Sequence, residues 1–172
     1  MESFSHTVGN LLPYHLLSFG TLLGTELYQS FVNTKICFQA LPMREFIALQ
    51  KRLFPAYFGC QVGLTALTAA THPPYSIVSL VKDPWSAAPL AVILITGSLN
   101  WWVFGPRTTT ASLVRRALKE SINARTKDDG KIHQANRTFS RNHAMSIHLN
   151  AIALVASIWY AFSLSSGLTV GS

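Results

Sequence analysis

The chain has 172 residues, of which 49% are hydrophobic and only 12% are charged. Soluble domains carry roughly 25% charged residues, so this composition excludes an ordinary soluble domain and predicts one membrane domain, residues 1–172. The net charge of +7 does not predict nucleic-acid binding, because the basic residues lie in segments that connect apolar stretches.

The first apolar stretch, residues 11–32, is predicted to be a membrane span. At 1.5 Å per residue its helix extends about 33 Å, which exceeds the roughly 30 Å of a bilayer's hydrocarbon core. The N-terminal segment before it contains no Lys or Arg, so a secretory signal is not expected. Gly20 and Gly24 have the spacing of a close helix contact, which makes a homo- or hetero-oligomer one option.

Residues 41–53 are amphipathic and precede an uncharged apolar stretch. Phe46, Leu49 and Leu53 recur at helical spacing, and charged side chains lie elsewhere around the helix. This pattern predicts a helix on the cytosolic membrane surface. The charges stop where this helix ends, so residues 54–71 are predicted to be the second span, continuous with the surface helix.

The second half of the chain contains two further apolar stretches. Residues 87–104 are predicted to be the third span, and Gly105-Pro106 to end its helix, because proline lacks a backbone N–H. Residues 144–164 are predicted to be the fourth span. The connection, residues 105–143, is predicted to be a cytosolic loop. Residues 108–125 of this loop are predicted to form an amphipathic helix, and its polar, glycine-containing part at 126–136 is predicted to be mobile. The predicted fold is an all-α, polytopic membrane four-helix bundle.

The basic residues predict the orientation of this bundle. Four of the fourteen Lys and Arg lie between the first two spans and nine lie between the last two. Because basic loops face the cytosol, both termini are predicted to be lumenal or extracellular. The endoplasmic reticulum, another endomembrane or the plasma membrane is the expected location, and the lipid bilayer is the expected partner.

Polar residues recur on one face of each predicted span, including Tyr57, Gln61, Thr65 and Thr68 on the second. This arrangement predicts a polar centre in the bundle. Two interpretations stay open: hydrogen bonds that hold the helices together, and a cavity or pathway for a small solute. The candidate residues of this centre are His15, Glu26, Gln29, Asn100, Arg107, Arg141, His143, Ser146 and Asn150.

Glu26 is the most informative of these residues. A charged, unpaired carboxylate inside a span costs several kcal/mol, so it is expected to be neutral, paired or near water. The predicted partners are Arg141, His143 or His15. Structural pairing, a proton- or substrate-coupled role, and ligation of haem or a metal ion are the three alternatives. No two histidines have zinc-site spacing, so neither a metal site nor a cofactor is predicted.

Four groups of residues along the chain carry a family resemblance. They are His15, Gly24 and Phe31-Val32; Leu41-Pro42, Phe46, Leu49-Gln50, Leu53-Phe54-Pro55 and Tyr57-Phe58; Asn100 and Pro106-Arg107-Thr108-Thr109; and Phe139, His143, Ser146 and Asn150. The resemblance is to the transmembrane protein 205-like family of small four-span membrane proteins. It implies a four-span membrane fold and no established reaction. Glu26 stands where the family has an amide, and Gly105 stands where the family has an acid.

Three functional hypotheses follow. The favoured one is a non-enzymatic membrane protein that binds or passes a small solute, or acts as an accessory protein. The alternative is a membrane-embedded enzyme, a tailoring oxidase or a haem- or metal-binding bundle, that uses Glu26, His15 and His143 as acid-base groups or ligands. The third is a purely structural partner protein.

Overall fold

A computed structural model describes residues 10–122 and 129–170, and these residues are helical apart from short connections. The elements in chain order are α1 (Leu12–Leu27), a first π-helical segment (Tyr28–Asn33), α2 (Thr34–Ala40), α3 (Met43–Ala70), α4 (Ile77–Lys82), α5 (Pro84–Leu99), a second π-helical segment (Asn100–Phe104), α6 (Gly105–Ile122) and α7 (Asp129–Val170). The predicted all-α class is confirmed for this part of the chain.

Three helical stretches in the described ranges are long and apolar enough to cross a membrane. They are Met43–Ala70, Pro84–Glu120 and Gly130–Ser166, and they contain the predicted second, third and fourth spans. The predicted first span is not among them. It covers α1 and most of the first π segment, and α1 alone has 16 residues, which is about 24 Å of helix.

The predicted surface helix and the second span form one continuous helix, α3. The structure has no break between residues 53 and 54, and Pro55 lies inside the helix. A proline inside a helix removes one hydrogen bond and can be accommodated by a local bend. The structure therefore does not separate a surface helix from a span.

The prediction that Gly105-Pro106 ends the third helix is wrong. The backbone N–H of Gly105 donates to the carbonyl of Asn100, five residues earlier, and the chain continues as α6. This wider π turn gives the ring of Pro106 room beside the preceding carbonyls, with which it would clash in a regular α-helix. A Cβ at Gly105 would lie 2.6 Å from the Asn100 carbonyl oxygen, so the turn requires glycine.

The predicted cytosolic loop 105–143 is helical over most of its length, and the amphipathic helix predicted at 108–125 lies in α6 as far as residue 122. α6 packs against the N-terminal part of α7, where Ala111 and Ala135 are buried and Arg115 lies 4.0 Å above the ring of Phe139. Residues 129–136 of the predicted mobile loop are helical. Gly130 does not prevent this, because it lies in the first turn of α7 and not in the interior of the helix. Residues 123–128 lie outside the described residues.

The bundle is apolar on the outside and has both apolar and polar side chains inside. Its apolar core joins α1, α5 and α7 through residues such as Phe19, Ile93 and Tyr160, and Ala153 on α7 lets the helices approach closely. Large apolar side chains face outward, as Phe162 does with 73% exposure. This distribution is typical of a helical bundle in lipid.

Candidate functional site

At one end of the bundle, His15 connects three helices. Its ring is fully buried, with Nδ1 3.0 Å from the carbonyl oxygen of Thr68 on α3 and Nε2 2.8 Å from the hydroxyl of Tyr160 on α7. A carbonyl can only accept, so Nδ1 carries the proton and donates to Thr68. Tyr160 then donates to Nε2. Both nitrogens are satisfied, and neither is available as a metal ligand or a base.

At mid-bundle, Glu26 is 1% exposed and bonds to Gln61, whose Nε2 donates to its Oε1 across 2.7 Å. The hydroxyl of Ser157 lies next to this carboxyl group but outside hydrogen-bond geometry. Within the described part of the chain, Glu26 Oε2, Gln61 Oε1 and the Ser157 hydroxyl have no hydrogen-bond partner. Glu26 is therefore buried with one hydrogen-bond donor. A charged carboxylate in such a position requires further hydrogen-bond donors or a cation.

The predicted pairing of Glu26 with Arg141, His143 or His15 is wrong. Its polar partner is Gln61, and the ion pair found in the described ranges is between Arg116 and Glu120. Arg107 and Arg141 are both exposed.

The reason is the depth of Glu26 in the bundle. Ser157, beside Glu26, lies fourteen residues after His143 on α7, a distance of about 21 Å along the helix. The sequence-based prediction put Glu26 near the basic end of the bundle. The structure puts it at mid-depth.

A third group of polar residues lies beside the two π segments. The Tyr57 hydroxyl donates to Asn150 Oδ1 across 2.7 Å, and Asn150 Nδ2 donates to the hydroxyl of Ser30 across 3.0 Å. Asn100, fully buried, donates to the backbone carbonyl of Ser146 across 3.1 Å. These bonds tie the first π segment, α3 and the second π segment to α7.

This group borders a cavity of about 430 Å³, which we name the π cavity. Its lining consists of Gln29, Ser30, Phe31, Thr34, Phe54, Phe58, Gly105, Thr108, Thr109, His143, Ser146, Ile147, Asn150, Ala151 and Leu154. Side chains of the first π segment form one wall, and the residue that follows the second π segment forms part of another. π-Helical turns inside α-helices occur frequently at functional sites.

The predicted polar centre is therefore divided into separate parts. Gln29, His143, Ser146 and Asn150 line the π cavity, and Asn100 is bonded to one of its walls. His15 and Glu26 belong to the two other groups, and Arg107 and Arg141 belong to none of the three.

This division separates the residues of the enzyme hypothesis. Tyr160, which bonds His15, lies seventeen residues after His143 on α7, which is about 26 Å along the helix. His15 and His143 therefore do not meet, and Glu26 bonds to neither of them. No group of three or more His, Cys, Asp or Glu is placed to hold a metal ion among residues 10–122 and 129–170.

Several residues of these groups were not among the predicted candidates. Tyr57 and Gln61 were visible as part of the polar stripe on the second span, and that stripe was the signal for them. Ser157 was visible in the same way, because it continues the polar stripe of His143, Ser146 and Asn150 on the fourth span. Tyr160 lies on the same span, outside that stripe. Thr108 lies beyond the predicted end of the third span, at the start of the predicted cytosolic amphipathic helix, so it was not assigned to the polar centre.

Comparison with known proteins gives the family. Residues 17–117 match the family described as "Domain of unknown function (DUF4149)". "Xanthocillin biosynthesis cluster protein D" of Aspergillus fumigatus is 61% identical over 171 residues, which cover 99% of each chain. "Transmembrane protein 205" of Danio rerio is 26% identical over 155 residues, which cover 80% of this chain and 82% of that protein. No solved structure matches.

The two relatives and the matched region agree with the resemblance carried by the sequence motifs, and that prediction is confirmed. The chain contains the DUF4149 domain and belongs to the transmembrane protein 205-like family.

Proposed function

We propose that this chain is a non-enzymatic, four-span membrane protein that binds or passes a small organic solute at the π cavity and serves a biosynthetic pathway. The observation that carries the proposal is the position of this cavity. It lies among hydrogen-bonding side chains inside the bundle, next to both π segments. Its volume of about 430 Å³ falls within the range of small-molecule sites, roughly 300–1,000 Å³.

The cavity lining indicates the chemistry of the solute. Asn150, Ser146 and Ser30 offer hydrogen-bond donors and acceptors, and Phe54 and Phe58 provide aromatic walls. Among residues 10–122 and 129–170, no Asp, Glu, Lys or Arg lines the cavity. These features favour a neutral, partly aromatic solute with a few polar groups. The proposal includes no cofactor, no metal ion and no nucleic acid.

The pathway is inferred from the relatives. The Aspergillus fumigatus protein is named for a xanthocillin biosynthesis cluster, and the identity to it extends over almost the whole of both chains. We therefore propose that the solute is a precursor or product of a pathway of the xanthocillin type. The chain would carry or hold that compound in the endoplasmic reticulum, another endomembrane or the plasma membrane.

The four-span topology is part of the proposal. α1, the first π segment and α2 follow one another without a break, so the helical run Leu12–Ala40 has the length to cross a bilayer. α1 packs along α3 through the bonds of His15 and Glu26, and its outer side chains, such as Leu17, are apolar and exposed. Four spans and two basic connections give both termini a lumenal or extracellular position.

The surface helix is retained in modified form. α3 has 28 residues, or about 42 Å of helix, whereas roughly 30 Å crosses the hydrocarbon core. Its N-terminal turns, with Arg44, thus extend to the cytosolic surface. Gly20 and Gly24 are exposed, with open space where a Cβ would stand, and the predicted oligomer contact through them stays a prediction.

Topology is tested with single cysteines introduced at positions 2, 119 and 172 of a cysteine-free variant. In sealed plasma-membrane vesicles with the extracellular face outward, an impermeant maleimide should label positions 2 and 172 and leave position 119 unlabelled. Labelling of 119 together with protection of 172 would reverse the proposed orientation, and labelling of only one terminus would mean an odd number of spans.

Solute binding is tested with xanthocillin and the purified protein in detergent. We expect saturable binding that Asn150→Leu weakens at least tenfold, because that change removes the amide and fills part of the cavity. Asn142→Leu is the matched control, since Asn142 is a buried asparagine of the same helix that does not line the π cavity. An absence of binding, or equal binding by both variants, would refute the proposed solute site.

A further inference from the structure

A second cavity adjoins the π cavity and has a different chemistry. It has a volume of about 510 Å³, shares Ser30, Phe54, Thr108 and His143 with the π cavity, and extends between α2, α3, α6 and α7. We name it the basic groove, after the three cationic residues on its walls, Lys35, Lys51 and Arg115. It lies at the end of the bundle where the basic connections are found.

The charge of the basic groove is entirely positive. Its three cations come from three different helices, α2, α3 and α6, and no Asp or Glu of the described residues lines the cavity. The guanidinium of Arg115 is held 4.0 Å above the ring of Phe139, which orients it without neutralising it. Cations that converge on one concave surface attract an anion, and low-dielectric walls strengthen the attraction.

A buried amide indicates a ligand independently of these charges. Gln50 is 9% exposed and lines the groove, and neither its Nε2 nor its Oε1 has a hydrogen-bond partner among the described residues. The buried hydroxyl of Thr108, also on the wall, is likewise unpartnered there. A buried, unsatisfied amide costs roughly 1–3 kcal/mol. A polar ligand group in the groove would remove that cost.

The remaining walls are apolar, which indicates a chain attached to the anion. Phe38 and Phe46 are in edge contact, with ring centroids 5.4 Å apart, and Met43 and Ile47 continue the same surface. Phe38 is 56% exposed, so much of its ring is open to an apolar group that lies in the groove. The groove thus combines a cationic, hydrogen-bonding part with an open apolar part.

We propose that the basic groove binds one anionic phospholipid of the cytosolic leaflet. Lys35, Lys51 and Arg115 contact the phosphate, Gln50 bonds to the headgroup or glycerol oxygens, and an acyl chain lies along Phe38 and Phe46. A lipid is favoured over a soluble anion, because the apolar part of the groove is open and the positive-inside rule assigns this end to the cytosol, where anionic lipids are concentrated. This proposal does not depend on the solute proposed for the π cavity.

The test is binding of phosphatidylserine to the full chain purified in a zwitterionic detergent, measured by native mass spectrometry and thermal shift. We expect one phosphatidylserine to be retained and to raise the melting temperature, and phosphatidylcholine to do neither. Removal of one cation, in Lys51→Gln or Arg115→Gln, should weaken the binding roughly fivefold.

The matched controls are the neighbouring cations. Arg52 and Arg116 follow Lys51 and Arg115 directly in the chain but do not line the groove, so Arg52→Gln and Arg116→Gln should bind as the unchanged protein does. Equal losses in all four variants would mean diffuse surface attraction and would refute the groove as the site. Unchanged binding in Lys51→Gln and Arg115→Gln would refute it as well.

Two further arms test the amide and the source of the anion. Gln50→Leu should reduce phosphatidylserine binding while raising the melting temperature in phosphatidylcholine, because it removes an unsatisfied buried amide. Glycerophosphoserine, which lacks acyl chains, should fail to displace the bound lipid. Full displacement by glycerophosphoserine would show a soluble-anion site and overturn the lipid assignment.

Discussion

Tyr160 donates its hydroxyl proton to Nε2 of His15 across 2.8 Å, between residues 145 positions apart in the chain. The same imidazole donates from Nδ1 to the Thr68 carbonyl, so one buried ring joins α1, α3 and α7. A neutral histidine satisfied on both nitrogens is a structural connection. It explains how a residue that suggested a ligand or a base from the sequence instead stabilises the end of the bundle.

Tyr160→Phe is expected to destabilise the protein. The change removes the donor and leaves His15 Nε2 buried without a partner, which costs roughly 1–3 kcal/mol. Thermal unfolding in detergent measures the effect. Tyr75→Phe is the control, because Tyr75 is exposed and its hydroxyl has no hydrogen-bond partner among residues 10–122 and 129–170. Equal stability of the two variants would show that the His15 connection contributes nothing.

Glu26→Gln is expected to preserve stability, and Glu26→Leu is expected to reduce it. A glutamine keeps the acceptor for Gln61 Nε2 and adds a donor next to Gln61 Oε1 and the Ser157 hydroxyl, both unpartnered in the described part of the chain. Leucine removes the acceptor and leaves the Gln61 amide unsatisfied, at a cost of roughly 1–3 kcal/mol. The melting temperatures of the two variants should therefore differ, and a stable Glu26→Leu protein would contradict this account.

Gly105→Ala is expected to disrupt the second π segment. The added Cβ would lie 2.6 Å from the Asn100 carbonyl oxygen, so the backbone must shift, at a cost of roughly 1–3 kcal/mol. Gly63→Ala is the matched control, because a Cβ at Gly63 meets no atom within 4 Å and alanine favours the helix by about 1 kcal/mol. The melting temperature should therefore fall in Gly105→Ala and rise in Gly63→Ala. Equal changes in the two variants would contradict this expectation.

The stability of the protein is expected to fall below pH 6.5 because of His72. Burial lowers the pKa of His72, which lies after the end of α3, and the carboxylate of Asp83 opposes this shift less strongly. The His15 ring also faces it, with centroids 5.5 Å apart. Below the unfolded-state pKa of about 6.5 the unfolded chain binds more protons, so the stability present above that pH is lost as pH falls.

His72→Gln isolates this contribution. Between pH 7 and pH 5.5, the melting temperature of the variant should fall by less than that of the unchanged protein. The reason is that the variant lacks the imidazole that binds a proton more readily in the unfolded state than in the folded state. Parallel curves for the two proteins would show that other groups cause the pH dependence.

The sequence by itself determined the class of the protein and the positions of its apolar helices. Those properties depend on local composition: uncharged stretches of bilayer length at residues 54–71, 87–104 and 144–164 require helices, since no other backbone conformation satisfies its polar groups in lipid. The polar stripe that contains Gln61 is local as well, because the 3.6-residue period assigns its members to one face. The family motifs were equally visible, and they led to the correct family.

Only the tertiary structure decided which polar groups meet. The partner of Glu26 depends on how far α1 is shifted along α3 and α7, and that shift is set by side-chain packing, such as the close approach that Ala153 permits. The continuation of the helix through Pro106 depends on a π turn at Asn100, which changes the hydrogen-bond register and which the local pattern of a proline after a glycine does not reveal. Separations along helices and changes in register are properties of neighbouring helices in contact, and the periodicity of one helix contains no information about them.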